Sequence, residues 1–267
     1  MIGFDIGSGI VCNWPAKPRA ADFLEDFMAL SLAKLLSLLL AVVGPAASKD
    51  APKEFALKQG DLIVAMGDSI TEGGGYLKQA DQVLAAQYPE LKLQKIKNAG
   101  VSGQKAEDMV KRFEKDVVAR KPAVVTISVG INDVWHRVNK PHDPKVLETY
   151  KENVTKMVDM AQNAGIKVII IAPTVIQEDP ENEGNKRLVM YVDAEREIAK
   201  EKKCVFIDLH QMFLDAIAKR PADIELDKNK RAYTRDGVHM KPAGDAIMAI
   251  AVLKGLGVPD EKIAVKE

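Results

Sequence analysis

The chain has 267 residues, 38 of them Lys or Arg and 38 Asp or Glu, so no net charge draws it to nucleic acid or an anionic membrane over long range. With 47% hydrophobic and 5% aromatic residues, it is long enough for one large α/β domain, and two catalytic domains would be cramped. No basic block with interleaved aromatics points to nucleic-acid binding.

Residues 1–47 stand apart. From Met28 an apolar run interrupted by Lys34 reaches Val43, and Gly44-Pro45-Ala46-Ala47 follows, the pattern of an export signal with a small-residue cleavage site. The stretch before Met28 is long for such a signal and sets Asp22, Glu25 and Asp26 against Lys17 and Arg19. Translation is therefore expected to start at Met28, or the preceding stretch to be unstructured. A run of about 16 residues is short against the roughly 20 of a membrane span, which favours cleavage over a tether through residues 28–43. The expected product is secreted or periplasmic. Losing residues 1–47 leaves 35 basic and 34 acidic residues and a single cysteine, Cys204, whose apolar neighbours Val205-Phe206-Ile207 suggest a core residue without a disulfide.

Residues 48–60 read as a linker and 61–267 as the domain. Apolar runs of strand length at 62–66, 91–96, 123–129, 166–172 and 205–209 alternate with helical stretches at 76–88, 105–120, 144–164 and 187–202. A last helix at 242–256 has Pro242 in its first turn and Gly255 and Gly257 at its end. Strand–helix alternation without hairpin signals predicts a five-stranded parallel sheet with helices on both faces.

The unusual residues fall after the strands. Gly67-Asp68-Ser69-Ile70-Thr71-Glu72-Gly73-Gly74-Gly75 follows the first, Asn98-Ala99-Gly100-Val101-Ser102-Gly103-Gln104 the second, and Gly130-Ile131-Asn132-Asp133-Val134-Trp135 the third. Asp236-Gly237-Val238-His239 ends the loop region after the fifth. In a parallel sheet these segments gather at one edge, where ligands bind. Taken singly, each has a plain alternative: Ser69, Thr71, Asn132 and Asp133 as helix caps, Gly100, Gly103 and Gly130 as turn residues, and His239 as a surface or capping histidine like His136, His142 and His210.

In order and spacing, Gly67-Asp68-Ser69, Gly103, Gly130-Ile131-Asn132-Asp133 and Asp236-Gly237-Val238-His239 resemble the four sequence blocks of the SGNH, or GDSL-type, hydrolases, over about residues 61–256. Isoleucine takes the place of leucine in the first block, and its polar residues are intact. The resemblance implies a three-layer α/β/α sandwich, flavodoxin-like, and an esterase nearest to small secreted acyl esterases. It implies Ser69 as nucleophile, His239 as base, Asp236 as the group orienting it, and Gly103 and Asn132 as oxyanion donors. No metal or organic cofactor is implied.

The chemistry fits those residue types. A serine hydroxyl needs an adjacent base, and histidine can take its proton and then protonate the leaving group. Asp236, three residues before His239, is close enough to hold the second imidazole nitrogen. The backbone N–H groups of Ser69 and Gly103 and the Asn132 amide suit a developing oxyanion. Trp135 and His136 are candidate pocket walls, Asp68 and Asp133 are expected to hold loops through Asx-type hydrogen bonds, and residues 73–75 are expected to be slack. Residues 168–174 and the loop beyond look similar to isoamyl-acetate-hydrolysing esterases and to secreted carbohydrate acetylesterases, so a small-molecule or carbohydrate ester is the expected substrate. The other reading is a flavodoxin-like ligand-binding module, with residues 69–73 as a phosphate-cradling loop. It leaves Asn132, Asp236 and His239 unexplained and lacks the lysine of a P-loop.

Overall fold

The computed structural model describes residues 57–263, and the export segment, with the choice between cleavage and a tether, lies outside the described residues. Among the described residues no helix is long and apolar enough to cross a membrane. Residues 57–60, expected as the end of a linker, already touch the domain. Leu57 packs partly buried on the core, and the Gly60 N–H donates to the Leu91 carbonyl at 2.8 Å.

The strands are β1 (Ile63–Gly67), β2 (Lys97–Gly100), β3 (Val124–Ser128), β4 (Lys167–Ile171) and β5 (Val205–Ile207), all parallel in the order β2-β1-β3-β4-β5. The three central strands are almost wholly buried and rich in Val and Ile, because a sheet covered on both faces leaves neither set of alternating side chains in water. The helices are α1 (Ser69–Gly73), α2 (Gly75–Gln87), α3 (Ala106–Asp116), α4 (Ile131–Trp135), α5 (Pro144–Asn163), α6 (Glu183–Lys202), α7 (Leu209–Ala218), α8 (Pro242–Gly255) and α9 (Asp260–Ile263).

The step from β1 to β2 runs the opposite way along the sheet from every later step, so right-handed crossovers put α2 on one face and α3, α5 and α6 on the other. The packing agrees: α2 lies on α8, α8 also meets α7 and β5, and α5 lies between α3 and α6. This is the expected three-layer α/β/α sandwich. Its topological switch falls between β1 and β3, and the chain leaving those two strands carries Ser69 and Asn132.

The second strand departs from expectation. The apolar run 91–96 is not a strand: Leu91 closes a 3-10 turn, Lys92 takes a left-handed φ of 43°, and the strand forms over the polar Lys97–Gly100 instead. Ile96 does enter the core, and its N–H donates to Asp81 Oδ1 at 2.9 Å. β2 is a short edge strand with exposed polar side chains, a composition that blunts an edge and hides it from a hydrophobicity pattern. At the other edge β5 stops at Ile207, because Asp208 caps α7, its side chain accepting from Gln211 N–H at 3.0 Å. The whole of α7 is additional to the expected elements, although Leu209, Met212, Phe213 and Ala216 repeat at helical spacing on its buried face. The helix expected at 187–202 starts earlier, at Glu183, capped by Asn182.

The triple glycine is not plain slack. Gly74, at φ 70°, breaks α1 from α2, while a Cβ on Gly75 would lie 2.1 Å from Oδ2 of Asp245 on α8. That carboxylate takes the Tyr76 N–H, so Gly75 lets α8 cap the start of α2. Of the three, only Gly73 has open space around it.

Candidate active site

β1 runs buried to Gly67, and the next residue turns the chain. Asp68 accepts the Ile70 N–H at 2.9 Å, an Asx-type cap as expected, which leaves Ser69 as the first residue of α1 at the sheet's carboxyl edge. Ser69 Oγ lies 2.9 Å from His239 Nε2, and His239 Nδ1 lies 2.6 Å from Asp236 Oδ2. The carboxylate can only accept, so it draws the imidazole proton to Nδ1 and leaves Nε2 free to accept from the serine hydroxyl. The second carboxylate oxygen, Oδ1, takes the N–H groups of Val238 at 3.0 Å and His239 at 2.8 Å. Burial pushes the Asp236 carboxyl up, but the hydrogen bonds from His239 and Val238 together outweigh it and hold the group down at about 2. Three residues 170 positions apart at the extremes are thus one hydrogen-bonded chain.

The Asp236–His239 segment sits in a tight hairpin. Arg235 N–H donates to the His239 carbonyl at 2.9 Å, Lys241 N–H to the Tyr233 carbonyl at 2.8 Å, and Thr234 bridges Met240. Glu178, a residue the sequence does not single out, holds the hairpin's first arm. Its buried carboxylate accepts from the N–H groups of Ala232, Tyr233 and Thr234 and from the Thr234 hydroxyl, at 2.6 to 2.9 Å. The neighbouring Gln177 N–H donates to the Gly237 carbonyl at 2.8 Å. The only sequence signal for Glu178 is its place in the loop after β4, at the carboxyl edge.

Asn132 lies on α4 at the same edge, almost fully buried, and its Nδ2 donates one N–H to the Gln104 carbonyl at 3.0 Å. Among the described residues its second amide N–H has no partner, so it remains available to a ligand. Gly103 is exposed with a left-handed φ of 74°, and a Cβ added there would meet nothing within 4 Å, so conformation rather than space favours glycine. Its loop is drawn to Ser69 by the Val101 N–H, which donates to the Gly67 carbonyl at 3.1 Å.

Asp133 does not form the expected Asx turn. It is buried, its Oδ1 accepts the Ala106 N–H at 3.4 Å across the loop, and Oδ2 has no partner among the described residues. Burial above all pushes its carboxyl up to about 7, with Asp68 adding to the rise and Ala106 N–H and Lys105 opposing it. The unfolded carboxyl titrates near 3.9. Between about pH 4 and 7 the folded state therefore holds more protons than the unfolded, and stability falls as pH rises through that window and then levels. Asp133→Asn keeps the acceptor and removes the charge, so it is expected to stabilise the protein at pH 8 by up to about 4 kcal/mol. Urea denaturation should show the gain vanishing near pH 4; an equal gain at both pH values would contradict a charged, buried Asp133.

Trp135 ends α4 half-buried against the core, and His136, its C-cap, is exposed. Neither side chain is hydrogen-bonded to the Ser69–His239–Asp236 chain. His142 is exposed as expected, but His210 is buried, with Nδ1 2.8 Å from the Thr174 carbonyl, and burial lowers its pKa. Cys204 is half-buried rather than core, unpaired, and burial pushes its thiol up to about 11. Among the described residues no group of three or more His, Cys, Asp or Glu is placed to hold a metal ion. A phosphate at the start of α1 would compete with Asp68, which already takes the Ile70 N–H.

Residues 65–247 match the GDSL-like Lipase/Acylhydrolase family. The chain belongs to this family. It is an SGNH-type serine hydrolase acting on ester bonds. An acetylxylan esterase of Geobacillus stearothermophilus is 28% identical over 217 residues, covering 74% of this chain and 94% of that protein. An uncharacterised lipoprotein of Bacillus subtilis is 27% identical, covering 72% of this chain and 88% of its own length. The crystal structure of the Geobacillus stearothermophilus acetylxylan esterase superposes with a TM-score of 0.67 at 27% identity, over 76% of this hydrolase and 97% of that chain. Catalytic mutants of that enzyme have been solved in which a serine, an aspartate or a histidine is replaced by alanine, the aspartate three positions before the histidine.

Proposed function

We infer that the protein is an exported esterase that removes short acyl groups, acetyl foremost, from small or carbohydrate esters through a Ser69 acyl-enzyme. The observation that carries this reading is the hydrogen-bonded chain Ser69 Oγ, His239 Nε2 and Nδ1, Asp236 Oδ2, with separations of 2.9 and 2.6 Å. The three-residue interval from Asp236 to His239 equals the interval between the aspartate and histidine whose replacement defines catalytic mutants of the related esterase. Its name supplies the acetyl and carbohydrate part of the reading. Export rests on the apolar run at 28–43 and the small residues after it.

In this mechanism His239 Nε2 takes the Ser69 proton as Oγ attacks the ester carbonyl, and Asp236 stabilises the imidazolium that forms. The Ser69 and Gly103 N–H groups and the free Asn132 amide N–H hold the oxyanion. His239 then protonates the leaving alcohol, which departs with the electron pair of the broken C–O bond. Water attacks the acyl-enzyme with His239 as base, releasing the acid and restoring Ser69. The reading is tested by assaying the protein from residue 48 onward against p-nitrophenyl esters of graded acyl length and against acetylated xylo-oligosaccharides. Acetyl esters should give the highest kcat/KM, falling by roughly tenfold or more at eight carbons. A preference for long acyl chains, or no release of acetate from the sugar, would reject the substrate assignment.

A further inference from the structure

Arg112 lies on α3, outside the family's four blocks, and its side chain is 15% exposed. Its guanidinium spends its donors on three separate segments at the carboxyl edge of the sheet. Nη2 donates to the Gly67 carbonyl at 3.0 Å, two residues before Ser69. Nη1 donates to the Ala99 carbonyl of β2 at 2.8 Å and to Asp116 at 3.0 Å. Nε donates to the Gln104 side-chain oxygen at 2.5 Å. The Gln104 backbone carbonyl is in turn the acceptor for the Asn132 amide.

An Arg–Asp pair four apart on a helix contributes little by itself, but three of the four acceptors here belong to other elements. The Gly67 carbonyl already receives the Val101 N–H, so Arg112 occupies its second lone pair and closes the contact between the nucleophile's strand and the Gly103 loop. All three segments that carry the inferred oxyanion donors, at Ser69, Gly103 and Asn132, are thereby referred to one rigid, planar group. Preorganised donors act through their placement, so a small relaxation of this group moves the transition state more than the bound ester.

We propose that Arg112 is a positioning residue for the oxyanion hole, setting the Gly103 loop and, through Gln104, the Asn132 amide against Ser69. The proposal rests on the inferred roles of Gly103 and Asn132. Lysine is a point donor that reaches one of these acceptors where the fork reaches four. Arg112→Lys is therefore expected to lower kcat for p-nitrophenyl acetate by roughly 10- to 100-fold with KM within about twofold, below the 10²- to 10³-fold typical of losing a donor outright. Gln104→Met, on a half-exposed side chain that leaves the backbone acceptor in place, isolates the link to Asn132 and should lower kcat by about three- to tenfold even if Arg112→Lys folds poorly. Combined with Asn132→Ala, either change should cost less than the product of the single effects, because both act on one donor set. If Asn132→Ala lowers kcat while Arg112→Lys and Gln104→Met change only the melting temperature, or multiply fully with Asn132→Ala, the positioning role is overturned and the oxyanion assignment stands. If Asn132→Ala itself leaves kcat unchanged, the oxyanion assignment fails and this proposal fails with it.

Discussion

Ser69→Ala is expected to reduce kcat on p-nitrophenyl acetate by on the order of 10⁵- to 10⁶-fold while leaving the melting temperature within about two degrees. The size follows from the inferred acyl-enzyme: without Oγ, the acyl group has no acceptor, and the inferred oxyanion donors and substrate contacts supply only residual rate over water. The fold should be indifferent because Ser69 Oγ makes a single hydrogen bond, to His239, and the start of α1 is held by Asp68. Steady-state assays beside thermal melts, together with labelling by a fluorophosphonate probe, check the result. Labelling of the wild type and none of the variant is the expected pair. Substantial activity or labelling in Ser69→Ala would remove the acyl-enzyme from the account.

Asp236→Asn should act nearly as strongly, on the order of 10³- to 10⁴-fold in kcat, for a different reason. The amide oxygen can still take the Val238 and His239 N–H groups, so the hairpin keeps its shape. The new NH₂ faces His239 Nδ1 where the carboxylate was. A donor there obliges Nδ1 to accept and moves the ring proton to Nε2, which then opposes the Ser69 hydroxyl instead of accepting from it. The imidazolium also loses its counter-charge. A crystal structure of the variant with the hairpin unmoved, alongside the kinetic loss, is the predicted combination; activity within about tenfold of wild type would show that the backbone alone orients His239.

Much of this site is legible in the sequence because the chemistry-bearing residues cluster in short, gapless segments. Asp236 and His239 lie close enough in sequence for one hairpin to join them, and the Ser69 and Asn132 segments each follow an apolar strand that marks the sheet's edge. The long helices that follow the third strand and close the domain, α5 and α8, are likewise visible. β2 and α7 are not. The strand is made of Lys97, Asn98, Ala99 and Gly100, residues that pair because β1 offers a free edge, and the apolar run just before it carries the stronger strand pattern. α7 is masked because the apolar residues of β5 and of the helix run together across Asp208.

The alternation of β1, β3, β4 and β5 with long helices, and the placing of Ser69, Asn132, Asp236 and His239 beyond strand ends, follow from local pattern, since hydrophobic periodicity and residue type are properties of short windows. What holds those groups at working distance does not. Glu178 clasps three consecutive amides 54 to 56 residues away, and Arg112 reaches the Gly67 carbonyl 45 residues back. Asp133 carries its raised pKa only because packing has buried it. A carboxylate or guanidinium on a sequence looks like any solvated charge; its partners and its desolvation come into being only when distant segments meet, so these roles belong to the tertiary structure alone.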